Sequence, residues 1–484
     1  MKRLLTLLSL ICLLGPARQA MAQLPLGNVS GNYNATQSML LNPAQVYPDR
    51  NRVYIHGWSY AAEFNNNLVR FERPFSLWNW TGSDLRLRDM EGLETGKDRY
   101  LNYLSTSQIL SFSFRYARNH AFGFSTRTVQ GISLTGAGDA LSLIGRNGLD
   151  TSLANGPGRG LARNRDYTNG AFSLNTDNYQ EFAFTFGWAS GRNSRHFLKT
   201  GFTGKLLLGF GAAHISGRDL DFRFNSRDTL LLRSGSYRTG HTGEASVNNA
   251  LSNPLGLWFN EVNGAGLGFD LGFTYEYRPE KLRSKPNRWN CLPDDNRDYR
   301  IRLGASVSDI GFITYSGANT REVTLSNQVW RINPGLMQQR FDAFQPDRFE
   351  AVDNDFTDAL GTNVKQSDAF TTFTPASFNA QLDYNFGKGW YLGGHWVQNL
   401  RSKEGIGLQK MSQVSLVPRY ERENFEVGMP LSLTGNYSRF TWGLYGRWGP
   451  FILGSDNLGG LSGMAFNGQF TGSSFYGGIR FKLN

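Results

Sequence analysis

Apolar and polar residues alternate along many short segments of this chain. In the clearest segment, residues 267–277, every odd position is apolar or aromatic and every even position is glycine, polar or charged. A period of two residues is typical of a β-strand with one apolar face. Strands in soluble proteins most often have about 5 to 6 residues, whereas a tilted strand needs about 9 to 11 to cross a membrane. The length of this segment therefore favours a membrane strand.

The same alternation recurs along the chain and at its end. It is found at residues 110–116, 182–188, 299–307, 378–386 and 440–448. In the C-terminal segment the apolar face is formed by Phe475, Ile479, Phe481 and Leu483. A closed barrel directs such faces toward lipid, because no backbone group can stay unpaired in hydrocarbon. The pattern predicts an all-β fold, a transmembrane antiparallel β-barrel of the cell outer membrane; a soluble exported β protein is the alternative.

The spacing of these segments predicts the organisation of the chain. We expect about 14 strands, with about 12 or 16 as alternatives, since single-chain bacterial barrels have even strand counts. The predicted parts are a signal peptide at 1–22, an N-terminal plug at 23–50 and the barrel at 51–484. Long polar segments, which are predicted extracellular loops, lie at 145–176, 225–263, 279–298 and 316–374.

The first 22 residues have the pattern of an export signal. Lys2 and Arg3 precede an apolar run at 4–14, and Ala20 and Ala22 supply small residues at a cleavage point. The run is shorter than the about 20 residues that a membrane-spanning helix needs. We therefore expect the mature chain to begin at Gln23.

Composition narrows the class of protein further. The formal net charge is +11, but the basic residues are spread among Gly- and Asn-rich segments. This favours contact with outer-membrane lipid over nucleic acid. Mean hydropathy is −0.40, and no stretch after the signal is continuously apolar over the length of a membrane helix. Only Cys291 remains after cleavage, so no disulfide within the chain is expected.

Catalytic and metal-binding motifs are not found in the sequence. The six histidines are scattered, without the His-Glu-x-x-His spacing of a zinc site. There is no Gly-x-Ser-x-Gly nucleophile turn and no phosphate-binding Gly-rich loop. The Gly-rich run from Gly264 leads into a predicted strand, unlike a dinucleotide-binding turn. We expect a protein that is not an enzyme and that needs no cofactor.

Short motifs carry a resemblance to known barrels. The Asn42-Pro43-Ala44 element resembles one in the plug of fatty-acid-transporter-like (FadL-type) barrels. Residues 266–272, 308–311 and 454–458 resemble motifs of an uncharacterised Bacteroidota outer-membrane family that is similar to FadL-type and PorV-type barrels, the latter from the type IX secretion apparatus. The resemblance implies the barrel fold. It leaves the function open, because that group includes lipophile transporters, secretion components and members with no assigned role.

The C-terminal strand also resembles the signal that the barrel-assembly machinery recognises. That signal has a polar residue, a glycine two positions later and two hydrophobic positions, matched here by Tyr476, Gly478, Phe481 and Leu483. The resemblance implies the barrel-assembly machinery as a partner.

Six residues are candidates for a plug and lumen site. Asn42 and Pro43 form a turn in the predicted plug. On one predicted hairpin, Asp270 and Glu276 are expected to face the lumen, with Arg300 and Arg302 on the next strand. Ion pairs that only stabilise the lumen are one interpretation, and a polar lining that binds or passes a ligand is the other.

Two functional hypotheses follow. In the first, the barrel passively takes up a hydrophobic or amphipathic small molecule, with a plug formed by roughly residues 24–48 and an apolar pocket or wall opening. In the second, a non-transporting barrel serves as a docking component for secretion or surface assembly, with an occluded lumen and partner-binding loops at 316–374. A lipophilic ligand and a secretion-apparatus component are the respective partners.

Overall fold

The computed structural model describes residues 26–48, 50–67, 69–71, 90–92, 98–138, 166–191, 195–226, 229–243, 261–279, 298–331, 364–459 and 471–483. The predicted signal peptide and Cys291 lie outside the described residues. Within them no helix is long and apolar enough to span a bilayer.

Three short helical elements precede the strands. They are α1 (Leu26–Val29), α2 (Ala35–Leu41) and a 3₁₀ turn, η1 (Pro43–Val46). The strands are β1 (Val53–Asn66), β2 (Val69–Phe71), β3 (Met90–Gly92), β4 (Arg99–Arg115), β5 (His120–Ala137), β6 (Asp166–Ser190), β7 (His196–Ser226), β8 (Thr229–His241), β9 (Gly264–Tyr277), β10 (Ile301–Arg331), β11 (Val364–Phe373), β12 (Ser377–Gly387), β13 (Trp390–Asn399), β14 (Gln413–Glu421), β15 (Phe425–Gly428), β16 (Leu431–Thr434), β17 (Arg439–Trp442), β18 (Leu444–Trp448), β19 (Phe451–Ser455) and β20 (Gly472–Leu483).

Eighteen of these strands form one closed antiparallel sheet, and β2 pairs with β3 separately. Fourteen positions in the wall are occupied, because in four cases two consecutive strands are the two halves of one interrupted wall strand. For example, β8 and β9 both lie between β7 and β10. The other pairs are β11 with β12, β15 with β16, and β17 with β18. The first strand closes on the last through pairs such as Val53 with Leu483. The described wall is thus a 14-strand barrel, which confirms the predicted fold class.

The two ends of the barrel differ in their connections. Short turns at 116–119, 388–389, 422–424 and 449–450 define one end, here called the short-turn end. The opposite, long-loop end carries the connections between β5 and β6 and between β10 and β11. Of the predicted loop 279–298, residues 280–297 lie outside the described residues; the strand ends that it connects, Tyr277 and Ile301, are paired at the short-turn end. The other three predicted loops are partly strand, since they overlap β6, β8, β10 and β11.

The alternation predicted for β9 matches its burial. Leu267, Phe269, Leu271 and Phe273 are 40–61% exposed on the outer surface, while Asp270 is 1% exposed on the lumen side. On β10, the outward apolar positions run from Leu303 to Phe312. Nine residue steps at about 3.3 Å each, tilted by about 40°, give an apolar belt about 20 to 25 Å tall. This height suits a bilayer.

Candidate functional site

The N-terminal segment fills the lumen next to the short-turn half of the wall. This plug (residues 26–48) is buried at nearly every described position, and Asn42, Ala44 and Val46 are fully buried. Asn42 shapes the chain locally, because its backbone N–H donates to Ser38 at the end of α2 and its Oδ1 accepts from the Ala44 N–H at 3.0 Å. Pro43 suits the first position of η1, since it has no N–H to leave unpaired.

The plug turn is bonded to four wall strands, one of which is β12, where the Asn379 amide donates to the Leu41 carbonyl at 3.3 Å. The Asn42 amide donates to the Phe273 carbonyl at 3.1 Å and to the Thr274 hydroxyl at 3.3 Å, both on β9. On β10, the Ser306 hydroxyl donates to the Leu41 carbonyl at 2.6 Å. From β4, Ser113 donates to the Val46 carbonyl at 2.6 Å. The predicted candidates Asn42 and Pro43 therefore lie in a turn held against the wall.

Glycines on the lumen face let this turn reach the wall. A Cβ at Gly201 would overlap the carbonyl of Pro43, and a Cβ at Gly272 would overlap the Asn42 amide. A Cβ at Gly187 would lie 2.5 Å from Val46 Cγ1. Only a residue without a side chain allows such an approach.

A buried charge cluster lies on the short-turn side of the plug. In this Glu276 cluster, the carboxylate accepts from Lys199 Nζ at 2.9 Å, from Arg302 Nε at 2.9 Å and from Arg278 Nε at 2.8 Å. The four side chains are 0–8% exposed. Glu276 and Arg302 form an ion pair in this cluster. Ion pairing in the lumen was one of the two interpretations of the sequence.

A second charge cluster lies on the other side of the plug. In this Asp309 cluster, Asp309 Oδ1 lies 2.6 Å from Arg127 Nη2 and 2.5 Å from Lys205 Nζ. Asp270 is bound by Lys205 at 2.9 Å and accepts the Asp309 N–H at 2.6 Å. The remaining members are Glu181, which accepts from Arg127 at 2.8 Å, and Lys410, 2.6 Å from Asp309 Oδ2. Three cations balance three carboxylates, so the cluster is neutral.

The backbone of β10 explains how Asp309 enters the lumen. The register of β9 against β10 shifts between Val307 and Ile310, and Asp309 has a φ of 57°. A bulge of this kind puts two consecutive residues on one face, and Asp is among the residues that tolerate a positive φ. Ser308 and Asp309 are accordingly both buried.

A third set of polar contacts ties the start of the plug to the far wall. Arg419 binds Asp383 through two nitrogens at 2.8 and 2.6 Å and reaches Glu421 at 3.1 Å. Glu421 accepts from the backbone N–H of Asn32 at 2.9 Å. Tyr299 donates to Asn32 Oδ1 at 2.8 Å. The beginning of the plug is thereby fixed to β14 and to Tyr299, two residues before β10.

Asp456, which follows β19, anchors α1. Its carboxylate accepts from Tyr476 at 3.0 Å and from the Gly27 N–H at 3.3 Å. Burial raises the pKa of Asp456 to about 6, although these hydrogen bonds act in the opposite direction.

A second segment crosses the lumen toward the long-loop end. This crossing segment (residues 400–412) joins β13 to β14, and Leu408 and Lys410 within it are 1% and 3% exposed. It reaches the opposite wall, where the Gly407 N–H donates to Asn175 at 3.0 Å and Ser173 donates to the Gly405 carbonyl at 3.3 Å. The lumen is therefore filled at two levels by chain segments.

Leu408 belongs to an apolar layer next to the Asp309 cluster. Its partners in this layer come from one side of the wall, β4 to β7 with β10 and β11, and include Leu104, Val129, Tyr179, Leu207, Ile313 and Phe370. Val129 and Leu207 each lie two residues beyond a member of the Asp309 cluster on the same strand, namely Arg127 and Lys205. A charged layer and an apolar layer are thus stacked in the lumen.

An apolar groove of about 480 Å³ lies on the outer surface of the wall. Its lining includes Phe186, Trp188, Phe202, Leu271, Phe273 and Phe378. Gly201 and Gly272 also line it, and the plug turn packs against the lumen side of these two glycines. At this point only backbone separates the groove from the plug.

One sequence expectation about the site needs correction. Arg300 precedes β10 and lies with its guanidinium 4.8 Å from the ring centre of Tyr384, so the structure does not place it with Arg302 in the Glu276 cluster. Asp270 faces the lumen, as expected, and is paired there with Lys205. Lys199 and Lys205 were overlooked, although the alternation at 197–207 puts both on the polar side of β7.

Among the described residues, no three His, Cys, Asp or Glu side chains are arranged to hold a metal ion. His56, His214 and His395 are buried at separate places in the wall.

Comparison with solved structures finds outer-membrane proteins at low identity. The P. putida toluene transporter TodX has a TM-score of 0.35 and 10% identity, over 92% of each chain. A TodX mutant, titled a monoaromatic hydrocarbon channel, has a TM-score of 0.39 and 9% identity over 93% of this chain and 94% of that one. The translocator domain of the autotransporter NalP from Neisseria meningitidis has a TM-score of 0.33 and 6% identity over 96% and 100%.

Comparison with curated proteins gives no match. A family model described as "Family of unknown function (DUF5723)" matches residues 43–456, which is most of the chain from the plug turn to the anchor of α1. The chain belongs to this family.

Proposed function

We propose that this protein is an outer-membrane barrel that passively takes up a hydrophobic or amphipathic small molecule, with the plug as its gate. The observation that carries the proposal is the position of the Asn42-Pro43 turn. It lies directly behind Gly201 and Gly272, whose outer side forms part of the apolar groove.

The groove and the plug turn are suited to act together. An apolar molecule dissolved in lipid can reach the groove without crossing water, and burial there is favourable by about 25 cal/mol per Å² of apolar surface. The turn behind the glycines is held by a few hydrogen bonds, each worth about 1 kcal/mol. Its displacement frees the lumen side of Gly201 and Gly272, and a passage at this point further requires the pairing of these two glycines between β7 and β9 to open.

A reversible disulfide tests whether the plug must move. Val46 Cγ1 lies 2.5 Å from the position of a Cβ at Gly187, so Val46→Cys with Gly187→Cys brings two sulfurs into bonding range. Cys291 is replaced by serine in all proteins. Entry of 1-N-phenylnaphthylamine is followed by fluorescence in a Gram-negative host, whose lipopolysaccharide slows free entry of hydrophobic probes.

The proposal expects oxidation to lower protein-dependent entry at least tenfold and reduction to restore it. The single variant Val46→Cys is the matched control and is expected to respond to neither treatment. Equal entry in the oxidised and reduced double variant overturns the gate. Equal entry in cells with and without the protein overturns uptake of this probe class.

The filled lumen favours a second candidate function, a docking component for secretion or surface assembly. Buried balanced charges such as those around Asp309 stiffen a lumen that never opens. A photo-cross-linking residue at exposed Thr324, near the long-loop end, is expected to trap one partner in cells, while one at exposed Trp448, at the short-turn end, does not. This candidate is ruled out if uptake depends on the disulfide between the plug and β6 and no cross-linked product forms at position 324.

Three further statements belong to the same proposal. The apolar belt and the alternation support location in the outer membrane. The sequence of β20 supports insertion by the barrel-assembly machinery. An origin in Bacteroidota, a FadL-like or PorV-like relationship and the division of the chain near residues 22 and 50 rest on sequence motifs alone.

A further inference from the structure

We propose that the crossing segment occupies, from within the same chain, a binding site for a small aliphatic amine. The inference rests on the proposed uptake function and names a ligand class for it. The site consists of the apolar layer around Leu408 and the Asp309 carboxylate that holds Lys410.

The contacts of the segment resemble those of a bound ligand. Leu408 supplies an apolar group that is 1% exposed among side chains from one side of the wall. Lys410 supplies an ammonium that donates to Asp309 Oδ2 at 2.6 Å and to the Ser377 hydroxyl at 3.1 Å. The two residues are two positions apart, which allows at most roughly 7 Å between their Cα atoms. An apolar tail with an ammonium at one end makes the same two contacts.

The charge of the site selects the head group. Without Lys410, the Asp309 cluster keeps the carboxylates of Glu181, Asp270 and Asp309 but only two cations, Arg127 and Lys205. One negative charge is then buried without a partner, which is strongly unfavourable. A cationic head group restores the balance. A carboxylate worsens it, and a neutral alcohol leaves it unchanged.

To leave the site, the segment must break its hydrogen bonds to the wall, from Gly407 to Asn175 and from Ser173 to Gly405. Toward the rim it is held by Glu404, 3.1 Å from Arg218, in a pair whose side chains are 42% and 50% exposed. Exposed pairs of this kind contribute about 0–1 kcal/mol. Gly407, with a φ of +119°, closely approaches the carbonyl of Phe373 and provides a turn at which the segment enters the lumen. Withdrawal of the segment therefore exposes the apolar layer and Asp309 together.

Calorimetry on the full mature protein in detergent tests the site with hexylamine, hexanol and hexanoate as probes. Leu408→Ala with Lys410→Ala removes the internal occupant and is expected to bind hexylamine at least tenfold more tightly than wild type. Addition of Asp309→Asn is expected to abolish that gain. An equal gain for hexanoate, or no gain for hexylamine in a variant with the heat-modifiable gel mobility of a folded barrel, overturns the proposal.

A measurement on the wild type covers the case in which the variant does not fold. Saturating hexylamine is expected to increase hydrogen exchange at residues 403–412, because the ligand displaces the segment, while hexanoate leaves it unchanged. No increase overturns the site. If probe entry depends on the disulfide between the plug and β6 but no amine binds, only this inference is refuted. If the amine binds but the protein gives no probe entry, only the uptake function is refuted.

Discussion

The Lys410 ammonium lies 2.6 Å from the Asp309 carboxylate, although the two residues are 101 positions apart in the chain. Lys410 belongs to the crossing segment and Asp309 to a bulge in β10. Their contact fixes a polar connection inside the barrel, and it completes the neutral charge cluster next to the plug.

Asp309→Asn is predicted to destabilise the barrel by about 3 to 5 kcal/mol, because it leaves Arg127, Lys205 and Lys410 in excess at a buried site. The measurement is equilibrium unfolding by urea in detergent micelles. The matched control is Lys403→Ala in the same segment. It removes an ion pair with Asp98 whose side chains are 68% and 55% exposed, and is expected to cost under about 1 kcal/mol. Equal effects of the two substitutions contradict a structural role for the Asp309 cluster.

Gly201→Ala is predicted to loosen the plug, because the new Cβ overlaps the Pro43 carbonyl. Such overpacking typically costs about 1 to 3 kcal/mol. Hydrogen exchange at residues 36–48 should rise. Gly204→Ala, three residues along the same strand, is the control, since its Cβ meets only a Phe202 ring atom at 3.8 Å. Unchanged exchange in the Gly201 variant means that the plug does not contact this wall in solution.

Asp456 makes stability depend on pH in a defined direction. Its pKa rises to about 6 on burial, so the folded protein binds this proton more tightly than the unfolded chain does. The contribution is full below the unfolded pKa near 3.9 and is lost as pH rises through about 6, amounting to about 3 kcal/mol. The readout is the difference in unfolding free energy between wild type and Asp456→Asn from pH 4 to 7. A difference that stays constant over this range refutes the assignment.

Replacement of Arg480 by an apolar residue is predicted to stabilise the protein. Arg480 is 5% exposed, and neither terminal guanidinium nitrogen has a hydrogen-bond partner among the described residues. Arg480→Met should raise the unfolding free energy by about 1 to 2 kcal/mol, since an unsatisfied buried polar group is unfavourable. Arg447→Met is the contrasting variant, because Arg447 binds Glu426 at 3.2 Å, and it should destabilise. Equal losses in both variants show that Arg480 is bonded in solution.

The sequence was informative where one face of a strand meets lipid. The period of two at 267–277 predicted β9, the exposure of Leu271 and the burial of Asp270 and Glu276. The same pattern did not predict the strands at 229–241 and 316–331, which extend toward the long-loop end. Polar residues occupy both odd and even positions there, so neither face is apolar. Arg300 was misplaced because strand parity does not apply before Ile301, where β10 begins.

The crossing segment shows what a local pattern cannot reveal. Residues 401–404, Arg-Ser-Lys-Glu, are typical of an exposed loop. The burial of Lys410 depends on Asp309, which is distant in sequence and faces the lumen only because of the bulge at 307–310. Similarly, the turn at Asn42 and Pro43 was predictable from the dipeptide, but its contact with Gly201 and Gly272 was not.

Conductance in a planar bilayer most directly tests whether the lumen is closed at two levels. Four proteins are compared: wild type, a variant lacking residues 26–48, a variant in which a short glycine-serine turn replaces residues 401–411 of the crossing segment, and the combination of both changes. Wild type and the two single-closure variants are predicted to stay silent, because one closure remains in each, and the combination is predicted to conduct ions. Steady conductance by the wild type, or silence of the folded combination, contradicts the double closure.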